Sequence, residues 1–198
     1  MLNDKILSEL QQGSKVLPYF QFHPRVWKHP GCVVDLGCLW WDWSGIFLGK
    51  KRVIGVDPCE KEKPQGAELF EGIIGRADGT TTIPTLISSR TESVGHFLPD
   101  GCKWVTGKRR VAMLSWTSFL KQFHIDSIGL LKLNIEGMEF SLLKQIGDPQ
   151  ADQLVISFHD WKPAFSKKDT AAALEQLSQW YDYCLISDNS TWYLFLRK

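Results

Sequence analysis

The feature that most constrains this fold is an alternation of short apolar segments with segments of helical periodicity between residues 32 and 180. The apolar segments predict strands at 32–36, 53–57, 67–74, 111–114, 129–135 and 153–158, and the helical segments are 42–49, 116–123, 138–146 and 169–180. Strands that alternate with helices form a mostly parallel sheet, because each helix carries the chain back across it. The sequence therefore predicts an α/β fold with helices on both faces of the sheet.

The C-terminal end departs from this alternation. Two β-rich runs, YDYCLIS at 181–187 and TWYLFLRK at 191–198, are separated by three polar residues. So short a connection joins only antiparallel neighbours. We therefore expect a C-terminal antiparallel hairpin on an otherwise parallel sheet.

The N-terminal region has a different character from the rest of the chain. Residues 3–12 have the spacing of a short amphipathic helix, and 13–31 are rich in proline, histidine and aromatic residues. A chain of 198 residues suits one domain. We predict a single domain, with residues 1–30 as an N-terminal cap segment and 31–198 as the core.

Composition excludes several classes of function. A net charge of +1 gives no electrostatic case for nucleic acid, and the basic residues of 103–110 are typical of a solvated loop. No apolar run approaches the ~20 residues of a membrane span, and the N-terminus lacks the apolar core of a signal peptide. The five cysteines form no CxxC pair and no zinc spacing. We expect reduced thiols, no metal and a cytoplasmic protein.

Acidic and glycine residues follow the first two predicted strands. Asp35 lies near the end of the strand CVVDL and Gly37 directly follows it. Asp57 ends VIGVD, 20 residues after Gly37. Asp and Gly also make ordinary turns. The spacing, however, suits a glycine turn that admits a nucleotide cofactor and an acid that accepts hydrogen bonds from its ribose.

The segment LLKLNIEGMEFSLLKQI, residues 130–146, is the most specific part of the sequence. Asn134 and Glu136 alternate with apolar residues, so both side chains point to one side where the strand ends. Doubly wound sheets bind ligands at the carboxyl ends of their strands. Both residues are therefore candidates for the chemistry of the site, although a simple strand–turn–helix explains the same pattern.

The segment KLNIEGMEFSLLKQI resembles the hallmark of the FkbM-type methyltransferases, K-[IL]-D-[VI]-E-G-x-E-x-x-[VL]-L-K. VVDLGC is similar to the first S-adenosylmethionine motif of that family and VIGVDP to its ribose-binding strand. GIIGRADGTTTI resembles its third-strand region, and QLVISFHDW its E-x-H strand. The resemblance extends over about residues 31–198.

The resemblance implies a class I methyltransferase fold, which is Rossmann-like, and methyl transfer from S-adenosyl-L-methionine. The acceptor it implies is a hydroxyl of a sugar, glycan or small metabolite. Residues implied at the cofactor are Asp35, Gly37, Trp41, Asp57, Gly75 and Asp78, although Asp78 and Gly79 are also typical of a hairpin-like turn. Candidate catalytic residues are Asn134, Glu136 and His159, with His159 as general base because neutral imidazole accepts a proton near pH 7.

Three positions depart from the family pattern. Trp41 replaces the second loop glycine, Asn134 the usual aspartate, and Ser157 the glutamate before the histidine. Two interpretations of Trp41 stay open: its ring lies clear of the cofactor or stacks on the sulfonium, or it fills the pocket.

The second interpretation makes the chain a degenerate member of the family that acts as a non-catalytic binding or scaffold module. A nicotinamide dehydrogenase is disfavoured, because G-x-G-x-x-G is absent. The sequence identifies neither the acceptor nor the oligomeric state.

Overall fold

The computed structural model describes residues 8–12, 21–59, 62–88, 91–94, 105–162, 164–187 and 191–198. Its strands, in chain order, are β1 (Gln11–Gln12), β2 (Gln21–Phe22), β3 (Cys32–Leu36), β4 (Val53–Val56), β5 (Ala67–Phe70), β6 (Gly72–Gly75), β7 (Gly79–Ser88), β8 (Thr91–Val94), β9 (Val105–Ser115), β10 (Ile128–Leu133), β11 (Gln153–Ser157), β12 (Tyr181–Leu185) and β13 (Trp192–Arg197). Its α-helices are α1 (Trp116–Gln122), α2 (Met138–Ile146) and α3 (Lys167–Leu177), and 3-10 turns lie at Pro24–Trp27, Leu39–Trp41 and Ser44–Phe47.

Seven strands form the central sheet, in the order β12-β13-β11-β10-β3-β4-β5. All pairs are parallel except those that involve β13, which is antiparallel to both β11 and β12. Every residue of β3, β4, β10 and β11 is buried, as expected for strands covered on both faces. The predicted α/β fold, the mostly parallel sheet and the C-terminal hairpin are confirmed.

The two faces of the central sheet are covered differently. The three α-helices pack on one face, where their buried side chains meet the sheet; these are Trp116, Phe119, Leu142, Leu143, Ala173 and Leu177. Aromatic side chains from 22–47 cover the other face, namely Phe22, Trp41, Trp43 and Phe47. Among the described residues, the helices predicted on both faces are found as α-helices on one face and short 3-10 turns on the other. The predicted helix 42–49 is replaced by 3-10 turns, whose large rings supply the apolar cover. None of the described helices has the length and apolar character needed to cross a membrane.

A second sheet, in the order β6-β9-β7-β8, corrects two predictions. The predicted strand 67–74 is two strands: β5 pairs with β4, whereas β6 leaves the central sheet and runs parallel to β9. The segment after the ADGTTT turn, which the sequence leaves without strands up to 110, forms β7, β8 and most of β9. Gly72 permits the split, since a Cβ there would overlap the main-chain oxygen of Ala112 on β9.

The N-terminal segment is attached to the central sheet by the side chain of Gln153. Its Oε1 accepts a hydrogen bond from His23 N at 2.9 Å, and its Nε2 donates to His23 O at 3.1 Å. Gln11 and Gln12, predicted as the end of a helix, instead form β1 and pair with β2. The start of that predicted helix lies outside the described residues. Buried Gln153 thus binds the cap through the main-chain atoms of His23.

Candidate functional site

The chain changes direction across the central sheet between β3 and β10. From β3 the order proceeds through β4 to β5, and from β10 it proceeds the other way to β11. In open α/β sheets, ligands bind beyond the carboxyl ends of the strands at such a switch point. The candidate site is expected beyond Leu36 and Leu133.

An open pocket occupies this position, with about 740 Å³ of space free of protein atoms, including its mouth. The ends of β3, β4 and β10 form one side and β6 of the second sheet the other. Its walls are largely apolar, with a few polar groups; they are Leu36, Gly37, Leu39, Val56, Asp57, Pro58, Cys59, Gly72, Ile73, Ile74, Asn134, Ile135, Glu136 and Met138. Apolar walls with few polar groups are typical of small-molecule and cofactor sites.

Gly37 allows the two central strands to converge below the pocket. Its φ of 87° is in the left-handed region, and a Cβ there would overlap the main-chain oxygen of Asn134. Asn134 N also donates to Leu36 O at 3.0 Å. Glycine is therefore required for both its conformation and the close approach of the two backbones.

Asp57 provides a carboxylate at the end of β4. Only 7% of the residue is exposed, and its Oδ1 accepts a hydrogen bond from Cys59 N at 2.7 Å. This contact fixes the side chain in an Asx turn at the pocket wall. The carboxylate is thereby oriented before any ligand arrives.

Asp35 lies beneath the pocket in a buried ion pair with Lys132. The two residues are register partners on β3 and β10, and Lys132 Nζ donates to Asp35 Oδ1 at 2.7 Å and to Gly37 O at 2.6 Å. Asp35 and Lys132 are 1% and 3% exposed, and Asp35 Oδ2 has no hydrogen-bond partner. The contact of Lys132 Nζ with Gly37 O fixes the loop that bears Gly37. Removing one member of such a buried pair costs about 3–5 kcal/mol.

Glu136 reaches the pocket from a loop in an unusual conformation. Glu136 and Gly137 have φ values of 60° and 103°. Lys162, of which 3% is exposed, donates its Nζ to Glu136 Oε2 at 2.6 Å and to Glu136 O at 3.1 Å. Left-handed conformations in non-glycine residues persist where the surroundings enforce them, commonly at functional sites.

His159 lies behind Glu136, outside the pocket lining. Its Nδ1 is 2.8 Å from Glu139 Oε1, and its Nε2 is 3.7 Å from Glu136 Oε1. Burial by itself would lower the pKa of His159, but the hydrogen bond to Glu139 and the charges of Glu139 and Glu136 outweigh burial and raise the pKa above the ordinary histidine value.

The remaining predicted residues lie away from the pocket. Trp41 packs on the far face of β4 against Gly55, and its indole Nε1 donates to Glu62 O at 3.0 Å. Gly75 lies against Met113. Asp78 is exposed and accepts hydrogen bonds from Ser115 N and Ser118 Oγ at the start of α1. From the third-strand region it is 72–74 that line the pocket.

Three charged residues of the candidate site were not predicted from the sequence. Lys132 interrupts an apolar strand, which is a signal in itself, because a buried lysine requires a partner. Glu139 occupies the second glutamate of the E-G-x-E pattern, so the resemblance contained it. Lys162 has no local signal, since only the tertiary fold brings it to Glu136.

Within the described residues no group of His, Cys, Asp and Glu has the arrangement of a metal site. Comparison of the chain with family models finds no match, and comparisons with curated proteins and with solved structures find none either. Any assignment of activity therefore depends on the residues and the geometry described above.

Proposed function

We propose that the protein is an S-adenosylmethionine-dependent methyltransferase of the FkbM type, which O-methylates a hydroxyl of a sugar, glycan or small metabolite. The observation that carries the proposal is the pocket at the β3/β10 switch point, where four residues named from the sequence pattern converge: Gly37, Asp57, Asn134 and Glu136. The parallel sheet with its C-terminal antiparallel hairpin supports the class I methyltransferase fold.

The pocket has the chemistry that a nucleoside cofactor requires. Apolar side chains such as Ile73 and Val56 suit the faces of a flat base, and the oriented Asp57 carboxylate suits a ribose diol. The carboxylates of Asp35 and Glu136 near the pocket are each paired with a buried lysine, Lys132 and Lys162, which fixes their positions. Trp41 lies outside the lining, so its ring leaves the pocket volume open.

When bound, the cofactor supplies a methyl group on a positively charged sulfur. The protein has to align an acceptor oxygen with that methyl group and exclude water, and orientation alone contributes several kcal/mol to lowering a barrier. Glu136 and Asn134 are the polar groups positioned to orient the acceptor hydroxyl. His159 is the candidate to receive its proton, which typically contributes about 10²–10⁴-fold to a rate.

Titration calorimetry with S-adenosylhomocysteine and S-adenosylmethionine tests the proposal. We expect micromolar to submillimolar binding by the unaltered protein. Asp57→Ala should weaken it by about 1–3 kcal/mol, because the ribose hydroxyls lose a charged acceptor. Asp182→Ala removes an equal charge from an exposed position on β12 and should leave binding unchanged.

An absence of heat and of any thermal shift at millimolar ligand would overturn the enzyme assignment in favour of a binding or scaffold module. Equal affinities of Asp57→Ala and the unaltered protein would instead show that Asp57 makes no contact with the ribose.

A further inference from the structure

Glu139 is a fully buried carboxylate at the start of α2 that makes three short contacts. Its Oε1 accepts a hydrogen bond from Ile135 N at 2.8 Å and lies 2.8 Å from His159 Nδ1, and its Oε2 accepts from Gly137 N at 2.7 Å. None of its surface is exposed. A buried carboxylate is stable only when such donors compensate its lost hydration.

These contacts connect the two parts of the site. The donors Ile135 N and Gly137 N flank Glu136, so the carboxylate holds the left-handed turn from which Glu136 enters the pocket. The third contact orients the imidazole of His159. Because an ionised carboxylate only accepts hydrogen bonds, the Nδ1 atom of His159 has to carry a proton.

We propose that Glu139 is the positioning residue of this site: it holds the Glu136 turn and fixes His159 as the Nδ1–H tautomer, which leaves Nε2 as its proton acceptor beside Glu136. The distance of 3.7 Å from Nε2 to Glu136 Oε1 exceeds a hydrogen bond, so that lone pair stays available. The use of this acceptor in methyl transfer rests on the proposed function. The arrangement of base and orienting carboxylate has the logic of a Ser-His-Asp triad.

In this arrangement the proton of the acceptor hydroxyl moves in two steps, first to His159 and then to solvent. The acceptor hydroxyl forms its new bond to the methyl carbon as the carbon–sulfur bond breaks, and its proton passes to His159 Nε2. The imidazolium that results faces two carboxylates, Glu139 at Nδ1 and Glu136 near Nε2, and one cation, Lys162, which is paired with Glu136. Solvent then receives the proton. Glu139 stabilises the charge on the imidazolium without taking up the proton itself.

Nitrogen and proton NMR of the ligand-free protein test the role of Glu139. In the unaltered protein at high pH, the ring nitrogen shifts of His159 should show a protonated Nδ1 and an unprotonated Nε2. In Glu139→Gln the titration midpoint of His159 should fall by roughly one pH unit or more, because burial still opposes the charged ring while its main counter-charge is lost. Glu175→Gln, at an exposed position on α3, should leave the midpoint unchanged.

An Nε2–H tautomer in the unaltered protein, or an unchanged midpoint in a folded Glu139→Gln, would overturn the proposal. The tautomer measurement needs no substitution, so it decides even if Glu139→Gln fails to fold. Both readouts also need no cofactor. If the NMR results contradict the role of Glu139, the proposed methyltransferase function is unaffected. If the NMR results are as expected but no S-adenosylmethionine binds, only the proposed function is overturned.

Discussion

Two consecutive tryptophans in the loop after β3 adopt left-handed backbone conformations. Trp40 and Trp41 have φ values of 64° and 58°. At position 41 the family pattern has a glycine, the residue that adopts this conformation without penalty. The indole of Trp41 is buried against Gly55, where a Cβ would overlap the ring. Burial of the ring therefore offsets the backbone strain, and the tryptophan serves packing on the face opposite the pocket.

Trp41→Ala and Trp41→Gly separate these two contributions. Each loses the buried ring, so Trp41→Ala should lower the free energy of unfolding by about 3–5 kcal/mol. Trp41→Gly should be about 1 kcal/mol more stable than Trp41→Ala, because glycine relieves the left-handed strain at some cost in chain entropy. Urea denaturation measures both values.

Trp43 provides the matched control, since it is 2% exposed but has a φ of −90°. There the glycine variant should be the less stable of the two by about 0.5–1 kcal/mol. If the glycine variant were less stable than the alanine variant at both positions, no backbone strain would be stored at Trp41. The ratio of affinities for S-adenosylmethionine and S-adenosylhomocysteine should not change in the Trp41 variants, because the ring lies outside the pocket lining.

At the level of elements, the C-terminal strand is joined to the turn after α2 by a bidentate ion pair. Arg197 of β13 donates to Asp148 Oδ1 at 3.0 Å and to Oδ2 at 2.7 Å, and Tyr181 OH lies 3.2 Å from Oδ1. The hydrogen bonds from Arg197 hold the pKa of Asp148 below its usual range. Bidentate arginine–carboxylate pairs are among the stronger charged contacts in proteins.

Because the pKa of Asp148 is lowered by folding, its stabilisation is complete above the unfolded pKa and is lost as pH falls through the folded one. Asp148→Asn should be less stable than the unaltered protein by about 1–2 kcal/mol at pH 7. The difference should begin to shrink as pH falls below about 4, where the carboxyl of the unfolded chain takes up a proton, and should vanish once pH is below the lowered pKa of the folded state. Thermal unfolding between pH 3 and pH 7 measures this. Asp182→Asn, at an exposed position on β12, should cost much less stability at pH 7. A difference for Asp148→Asn that is as large at pH 3 as at pH 7 would contradict the explanation.

The elements that the sequence predicted well are those with strong local signals. Helix 138–146 has the predicted bounds, because Phe140, Leu143 and Ile146 recur at helical spacing after Gly137. The division of 67–74 was missed, because β6 pairs with β9, whose partner residues lie 40 positions further along the chain. Long-range pairing leaves no local pattern. In the candidate site, Asp57 could be predicted because it directly follows an apolar strand segment, which is a local signal. The contact of Lys162 with Glu136 depends on tertiary structure and leaves no such signal.

At the scale of the whole molecule, the pocket lies between two sheets of unequal size. The central sheet has apolar clusters on both faces, whereas the cluster of the second sheet that is described contains three buried residues, Ile73, Ile83 and Val111. Local stability follows buried apolar contact, so the floor of the pocket is expected to be rigid and its β6 wall to open more readily. A ligand that binds between the two sheets contacts both and is expected to stabilise the weaker one.

Hydrogen exchange tests this division of the molecule. Without ligand, amides of β3, β10 and β11 should exchange most slowly, and those of β6 and β7 faster, because opening the second sheet exposes less apolar surface. With saturating S-adenosylhomocysteine, protection should increase at residues 36–39, 56–59, 72–74 and 134–138, the segments that contribute to the pocket lining. Strands β12 and β13 lie at the other end of the sheet and should show no change, and Asp57→Ala should need more ligand for the same protection. Protection that appeared at β12 and β13 while the pocket segments stayed unchanged would place the ligand elsewhere and exclude the β3/β10 pocket as the cofactor site.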